Sequence, residues 1–267
     1  MPLRLAKPFR ARLAESDRPL IGMWVCSGSP TICEIAAGSG VDWLLIDMEH
    51  SANSLESVLS QLQVAAAYPV TPVVRVPWND AVAIKQVLDL GAQNIIVPMV
   101  SSADEARAAV AATRYPPQGV RGVGSALSRS ARWNRIDGYL ENATSLVSLT
   151  VQIETIAGVA AAAEIAAVDG VDAVFVGPSD LSASMGLLGQ QTHPDVVAAV
   201  HSVFDAAHAA GSHVGVNAFA PDAADAYVEV GADFVAVGAD VAMLARASEA
   251  LASRFIPSAS DEQRASY

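Results

Sequence analysis

Lysine is almost absent from this chain. Only two occur in 267 residues, Lys7 near the N-terminus and Lys85 within a helix-like stretch. A Schiff-base enzyme needs an activated lysine at the reacting carbon. Neither lysine stands at the end of a strand-like run, so any carbonyl chemistry here would have to be metal-assisted. Cysteine is equally scarce: Cys26 and Cys33 have neither a metal-type spacing nor a disulfide framework. That usage predicts a reducing, cytoplasmic compartment. Basic residues number 16 against 28 acidic ones, for a net charge of −12, which excludes the basic face that a nucleic-acid partner requires. No apolar run reaches the ~20 residues that span a bilayer. The basic segment from Met1 to Arg12 is not followed by the apolar core of a secretion signal.

What the chain has in abundance is apolar surface. Hydrophobic residues make up 52% of it and mean hydropathy is +0.34, which predicts a buried parallel sheet together with subunit interfaces. Strand-like runs recur at Leu20 to Val25, Asp42 to Asp47, Pro72 to Val76, Asn94 to Met99, Leu149 to Glu154, Asp172 to Gly177, His213 to Asn217 and Asp233 to Gly238. Buried parallel strands read as near-continuous hydrophobic runs because helices cover the sheet. Helix-like stretches lie between most of them: Leu55 to Ala67, Ala81 to Leu90, Ala103 to Ala112, Val159 to Val168, Pro194 to Ala210, Pro221 to Val230 and Val241 to Phe255. Three strands are introduced by one signal, Gly40-Val41-Asp42, Gly170-Val171-Asp172 and Gly231-Ala232-Asp233, with Gly91-Ala92-Gln93 as a variant. A glycine C-cap and a short turn explain it.

About eight strand–helix units predict a (β/α)8 barrel, formed by one domain over 1–267 with its core at 20–255. A doubly wound sheet would carry a glycine-rich nucleotide loop after the first strand, and Gly22, Gly28, Gly38 and Gly40 do not make one.

In such a barrel, chemistry sits at the C-terminal ends of the strands. Two apolar runs end on acids there, Glu154 and Asp180, and oxygen ligands of this kind suit Mg²⁺ or Mn²⁺. The plainer alternative is that each caps the following helix. The second strand ends Asp47-Met48-Glu49-His50, placing an imidazole where it can move protons. His193, His201, His208 and His213 read as structural. Arg75 lies in an otherwise apolar strand. Burying an unpaired guanidinium is costly, so it either bridges to Glu49 or Glu154 or holds an anionic oxygen. Tyr115 to Ala143 interrupts the barrel rhythm and contains Arg121, Arg129, Arg132 and Arg135. Its length and charge predict contact with an anionic substrate or with another subunit.

Taken together, WLLIDMEH, PVVRVPWND, IKQVLDLGAQ, VPMV, RYPPQGVRGVGSALSRSARWNRI, VQIET, VFVGPSDLSASMG and FVAVGADVAMLARA resemble the HpcH/HpaI aldolase family across essentially all of Leu20 to Phe255. The resemblance implies a TIM barrel, a hexamer built from dimers that exchange their last helix, and a divalent ion (Mg²⁺, Mn²⁺ or Co²⁺) held by Glu154 and Asp180. It implies reversible cleavage of 4-hydroxy-2-oxo acids to pyruvate, or hydroxypyruvate, and an aldehyde. It assigns acid/base work to His50 oriented by Asp89, and ketone polarisation to Arg75. Gln152 becomes a further pyruvate-site position, and the backbone at Gly177, Pro178 and Ser179 receives the carboxylate. Two departures are Met48, in place of a glycine beside the histidine, and Asn217, in place of an aliphatic residue in the aldehyde pocket. A citrate-lyase-like enzyme acting on an acyl-coenzyme A and a non-enzymatic oxo-acid sensor remain as alternatives.

Overall fold

A computed structural model describes residues 3–256 of the chain. Eight parallel strands close into a barrel in sequence order: β1 (Leu20–Val25), β2 (Trp43–Asp47), β3 (Thr71–Arg75), β4 (Asn94–Val97), β5 (Ser148–Ile153), β6 (Ala173–Val176), β7 (His213–Asn217) and β8 (Phe234–Ala239). The predicted (β/α)8 architecture is therefore the observed one. The helices around the barrel are α2 (Pro30–Ala37), α3 (Leu55–Ala65), α4 (Ala81–Asp89), α5 (Ala103–Thr113), α6 (Tyr139–Leu146), α7 (Ile156–Ala160), α8 (Ala162–Ala166), α9 (Pro178–Ser184), α10 (Pro194–Ala209), α11 (Pro221–Glu229) and α12 (Asp240–Phe255). The expected helix from Val159 to Val168 is instead two short ones meeting at Ala161. A helix absent from the sequence reading, α1 (Phe9–Glu15), precedes β1.

Alternate residues of each strand point to opposite faces. One set, with Ile46, Val74, Ile95, Val151, Val174, Val216 and Val235, packs outward against the helices. The other fills the barrel with Trp43, Leu45, Val73, Ile96, Phe175, Phe234 and Ala236. Phe9 of α1 inserts from below. Its ring lies 5.5 Å from Trp43 and 5.2 Å from Phe234, and its N–H donates to Asn94 Oδ1 at 2.6 Å. The N-terminal end of the barrel interior is thus plugged with aromatic rings, which leaves the opposite end of the interior open to a ligand.

The repeated Gly-x-Asp signal has two physical parts. Its glycines turn with φ of 96° at Gly40, 101° at Gly170 and 103° at Gly231, values that side chains with a Cβ rarely adopt. Each aspartate then accepts from an N–H of the preceding strand: Ile21 to Asp42 at 2.8 Å, Leu149 to Asp172 at 2.9 Å and Val214 to Asp233 at 2.8 Å. These bonds fix the strand starts against one another.

The arginine-rich insertion connects α5 to β5, so it lies at the N-terminal face and not over its own barrel's mouth. Arg129 donates to Leu90 O at 3.0 Å and Arg121 is buried beneath Tyr115. Its last residues form the start of α6 and not a loop.

Gly22 faces the barrel interior, where a Cβ would be driven into the Trp43 ring. Overpacking of this kind costs ~1–3 kcal/mol. Gly22→Ala is expected to lower Tm in scanning calorimetry by about 5 °C or more, and an unchanged Tm would refute the packing described here.

Candidate active site at the barrel mouth

The inward-facing residues change from apolar to polar at the C-terminal ends of the strands. Asp47 ends β2 and Arg75 ends β3 in register with it. Asp47 Oδ1 accepts from Arg75 Nε at 2.7 Å and from the Glu49 N–H at 3.1 Å, while Oδ2 accepts from the His50 N–H at 3.1 Å. One carboxylate therefore shapes the β2–α3 turn and orients the arginine. Arg75 Nη1 forms an ion pair with Glu49 Oε2 at 2.7 Å and lies 3.5 Å from Gln152 Oε1. Gln152 Nε2 donates to Glu154 Oε2 at 2.6 Å, and the Met99 N–H donates to Glu154 Oε1 at 2.7 Å. The chain of contacts thus runs Asp47–Arg75–Gln152–Glu154 across three strands. Gly177 leaves room for it, since a Cβ there would stand 2.7 Å from Glu154 Oε2 and 2.8 Å from Gln152 Nε2.

The electrostatics are unbalanced. Burial pushes the Glu154 carboxyl up to about 8, and the charges of Glu49 and Asp180 add to that against the opposing Met99 hydrogen bond. Burial also raises Glu49, helped by Asp47 and Asp180 and opposed by Arg75 and His50. For Arg75 burial acts downward, but the Asp47 hydrogen bond and the charges of Asp47, Glu49 and Glu154 outweigh it and raise its pKa. Three carboxylates, those of Asp47, Glu49 and Glu154, therefore act on one guanidinium, and Asp180 adds its charge to Glu49 and Glu154, a donor set that calls for a further cation. Among the described residues no group of three or more His, Cys, Asp or Glu side chains is arranged around a metal position. Glu154 and Asp180 would thus hold an ion as a pair, leaving its other positions to water and substrate.

Arg75, Gln152 and Glu154 lie together as expected from the sequence. Arg75 does pair with Glu49, and Asp47 is its second partner. Asp180 is exposed in the first turn of α9, so the helix-end position weighed for it is also met, whereas Glu154 caps nothing. The His50 side chain is 64% exposed on the rim, with Nε2 3.9 Å from Glu49 Oε1. Asn217 ends β7, and among the described residues its buried Oδ1 has no partner.

The three residues assigned to carboxylate binding contribute unequally. The Gly177 N–H donates to Ile153 O at 3.2 Å and proline has no N–H, which leaves only that of Ser179. Asp89 is not near His50 within one chain. It ends α4, nine residues or ~13 Å back from the rim, where Arg121 Nη2 lies 3.5 Å from its Oδ1. Neither lysine reaches the mouth: Lys7 pairs with Glu15 at 2.7 Å, and Lys85 sits on α4 beside Gly122.

Two mouth residues escaped the sequence reading. Asp47 looks like one more strand-ending acid until its Arg75 partner, 28 residues away, is known. Trp24 looks like core, yet its ring centroid lies 4.2 Å from Arg75 Cζ.

The chain belongs to the HpcH/HpaI aldolase/citrate lyase family, whose profile matches residues 20–247. A 4-hydroxy-2-oxo-heptane-1,7-dioate aldolase of Salmonella dublin is 53% identical over 241 residues, covering 90% of this chain and 92% of the relative. A solved family member from Burkholderia cenocepacia J2315 shares 41% identity with a TM-score of 0.88, covering 92% of this chain and 98% of that one. An HpcH/HpaI aldolase from Desulfitobacterium hafniense DCB-2 shares 28% with a TM-score of 0.86, covering 97% and 100%.

Glu154 generates a pH prediction. Its folded-state value of about 8 lies above the ordinary 4.5, so folding takes up a proton between those values. Stability of the metal-free protein should therefore fall as pH rises from about 4.5 to about 8. Urea midpoints measured in chelator at pH 5, 6.5 and 8 should show that decline, and Glu154→Gln should flatten it. Equal slopes for the two proteins would contradict the burial argument.

Proposed function

We propose that this protein is a divalent-metal-dependent aldol lyase. Its substrates are 4-hydroxy-2-oxo acids, of which 4-hydroxy-2-oxoheptane-1,7-dioate is the one named for the relatives, and its products are an aldehyde and pyruvate, or hydroxypyruvate. The observation that carries this reading is Arg75: a buried guanidinium with one nitrogen, Nη2, free beside a buried carboxylate and an exposed histidine.

Arg75 Nη2 donates to the 2-oxo oxygen and stabilises the negative charge that gathers there as the C3–C4 bond breaks. His50, through a water, takes the proton of the 4-hydroxyl and gives it to C3 of the enolate, which completes the oxo-acid product; in the condensation direction the proton runs back. Gln152 holds Glu154 and sits beside the oxo acid. Ser179 offers the free N–H to the substrate carboxylate, with Gly177 and Pro178 shaping the turn. Asn217 supplies an unsatisfied acceptor to the substrate. A divalent ion held by Glu154 and Asp180 (Mg²⁺, Mn²⁺ or Co²⁺) would supply Lewis-acid stabilisation of the oxo acid. The acyl-coenzyme A alternative draws no support from the insertion of the same chain, whose arginines lie on the far face, with Arg121 buried there.

The reading extends to assembly. An Asp89–His50 dyad requires Asp89 of a second copy, since the two stand at opposite ends of one barrel. Exposed Val241, Met243, Leu244, Leu251, Phe255 and Ile256 along and just beyond α12 support its exchange between subunits, and with it a hexamer built from dimers. The whole chain, 1–267, acts as one catalytic domain in the cytoplasm. Among the described residues no helix is long and apolar enough to cross a membrane.

Exhaustive chelation is expected to abolish cleavage and Mn²⁺ or Mg²⁺ to restore it, while Glu154→Ala and Asp180→Ala remain folded and unrestored. Full turnover by demonstrably metal-free protein would sink the metal reading. His50→Ala should slow cleavage ~10²–10⁴-fold with metal affinity unchanged. Co-expressed His50→Ala and Asp89→Ala chains should recover activity that neither has alone. An oligomer containing both variants that stays inactive would refute the shared dyad.

A further inference from the structure

The Arg75 guanidinium is enclosed on several sides. Nε is taken by Asp47 Oδ1 at 2.7 Å, and Nη1 by Glu49 Oε2 at 2.7 Å with Gln152 Oε1 at 3.5 Å. Its face is covered by the Trp24 ring, whose centroid is 4.2 Å from Cζ. Only Nη2 is buried without a partner. Trp24 is itself held firmly. It is 8% exposed, packs edge-on against Phe219 at 6.2 Å between centroids, and follows a point where β1 shifts register against β8, between Gly22 and Trp24. Such irregularities re-aim a side chain.

A buried indole N–H normally finds a hydrogen-bond partner, but among the described residues Trp24 Nε1 has none. No hydrogen bond among the described residues therefore explains a tryptophan on this wall, and leucine would fill space without orphaning a donor. What tryptophan supplies is its ring face, the best of the aromatic faces for a cation. We propose that Trp24 is a positioning residue for Arg75: its indole face closes the side that the two carboxylates leave open, so that Nη2 alone meets the substrate oxygen, in a fixed direction.

The proposal rests on the aldol-lyase reading and is tested within it by variants compared for kcat, KM and Tm. Trp24→Leu should lower kcat about tenfold or more and change KM less, because the enolate charge that Nη2 meets forms only in the transition state. Trp24→Phe keeps a π face without the N–H and should recover most of the lost kcat. In an Arg75→Lys background Trp24→Leu should cost little more, as expected of two residues acting through one interaction. A purely space-filling role predicts instead the same loss of rate in both backgrounds. The proposal is overturned if Trp24→Phe is as slow as Trp24→Leu, or if Trp24→Leu loses the same factor with lysine at 75. Wild-type protein that cleaves no 4-hydroxy-2-oxo acid would overturn the aldol reading itself, and the proposal with it.

Discussion

The mouth of this barrel depends on the ion pair between Arg75 and Asp47. A guanidinium 1% exposed and a carboxylate fully buried would each be costly alone. Together, at 2.7 Å, they become a fixed part of the wall, and several other features follow from them. Asp47 uses its remaining capacity on the Glu49 and His50 N–H groups, so the same carboxylate that orients the arginine also sets the turn from which the histidine projects. Glu49 then reaches back to Nη1. The carboxylates outnumber the arginine, and the imbalance appears in Glu154, which burial and like charges hold near neutrality at pH 7.

The rest of the barrel keeps that polar network at one end only. Phe9, Trp43, Phe175 and Phe234 fill the lower interior ring against ring, and the Gly-x-Asp turns anchor the strand starts. Those aspartates are themselves paired: Asp42 with Arg18 at 2.8 Å, Asp172 with Arg10 at 3.3 Å, and Asp233 with His208 at 3.1 Å. A closed, rigid lower half allows the upper layer to hold four unlike polar side chains in register without collapsing onto them.

Much of this was legible in the sequence, for stated reasons. Buried parallel strands have little freedom in composition, so all eight appeared as apolar runs. Gly40, Gly170 and Gly231 announced their turns because few other residues tolerate those angles. Arg75 and Glu154 stood out because charge at the end of an apolar strand demands a partner, and His50 because an imidazole just past a strand end stands on the rim. Other features were hidden because they depend on long-range geometry. The α1 plug shows only Phe9 and Leu13 as buried residues and acquires its role once the barrel closes around it. That Asp89 lies on the far face follows from the direction of α4, which a helix from Ala81 to Leu90 after the third strand already implies; what stayed hidden is that reaching His50 takes a second copy. The Gly177 N–H looked available until strand pairing committed it to Ile153.

The central claim is that this carboxylate-rich rim, with Arg75 at its centre, is a cation-dependent site for a 2-oxo acid. The most direct measurement is anomalous scattering from crystals of the protein soaked with Mn²⁺ and pyruvate. The account predicts one strong peak per chain, bonded to Glu154 and Asp180, with the oxo acid's ketone oxygen beside Arg75 Nη2. A peak away from both carboxylates, or pyruvate bound at the mouth without any metal peak, would contradict it.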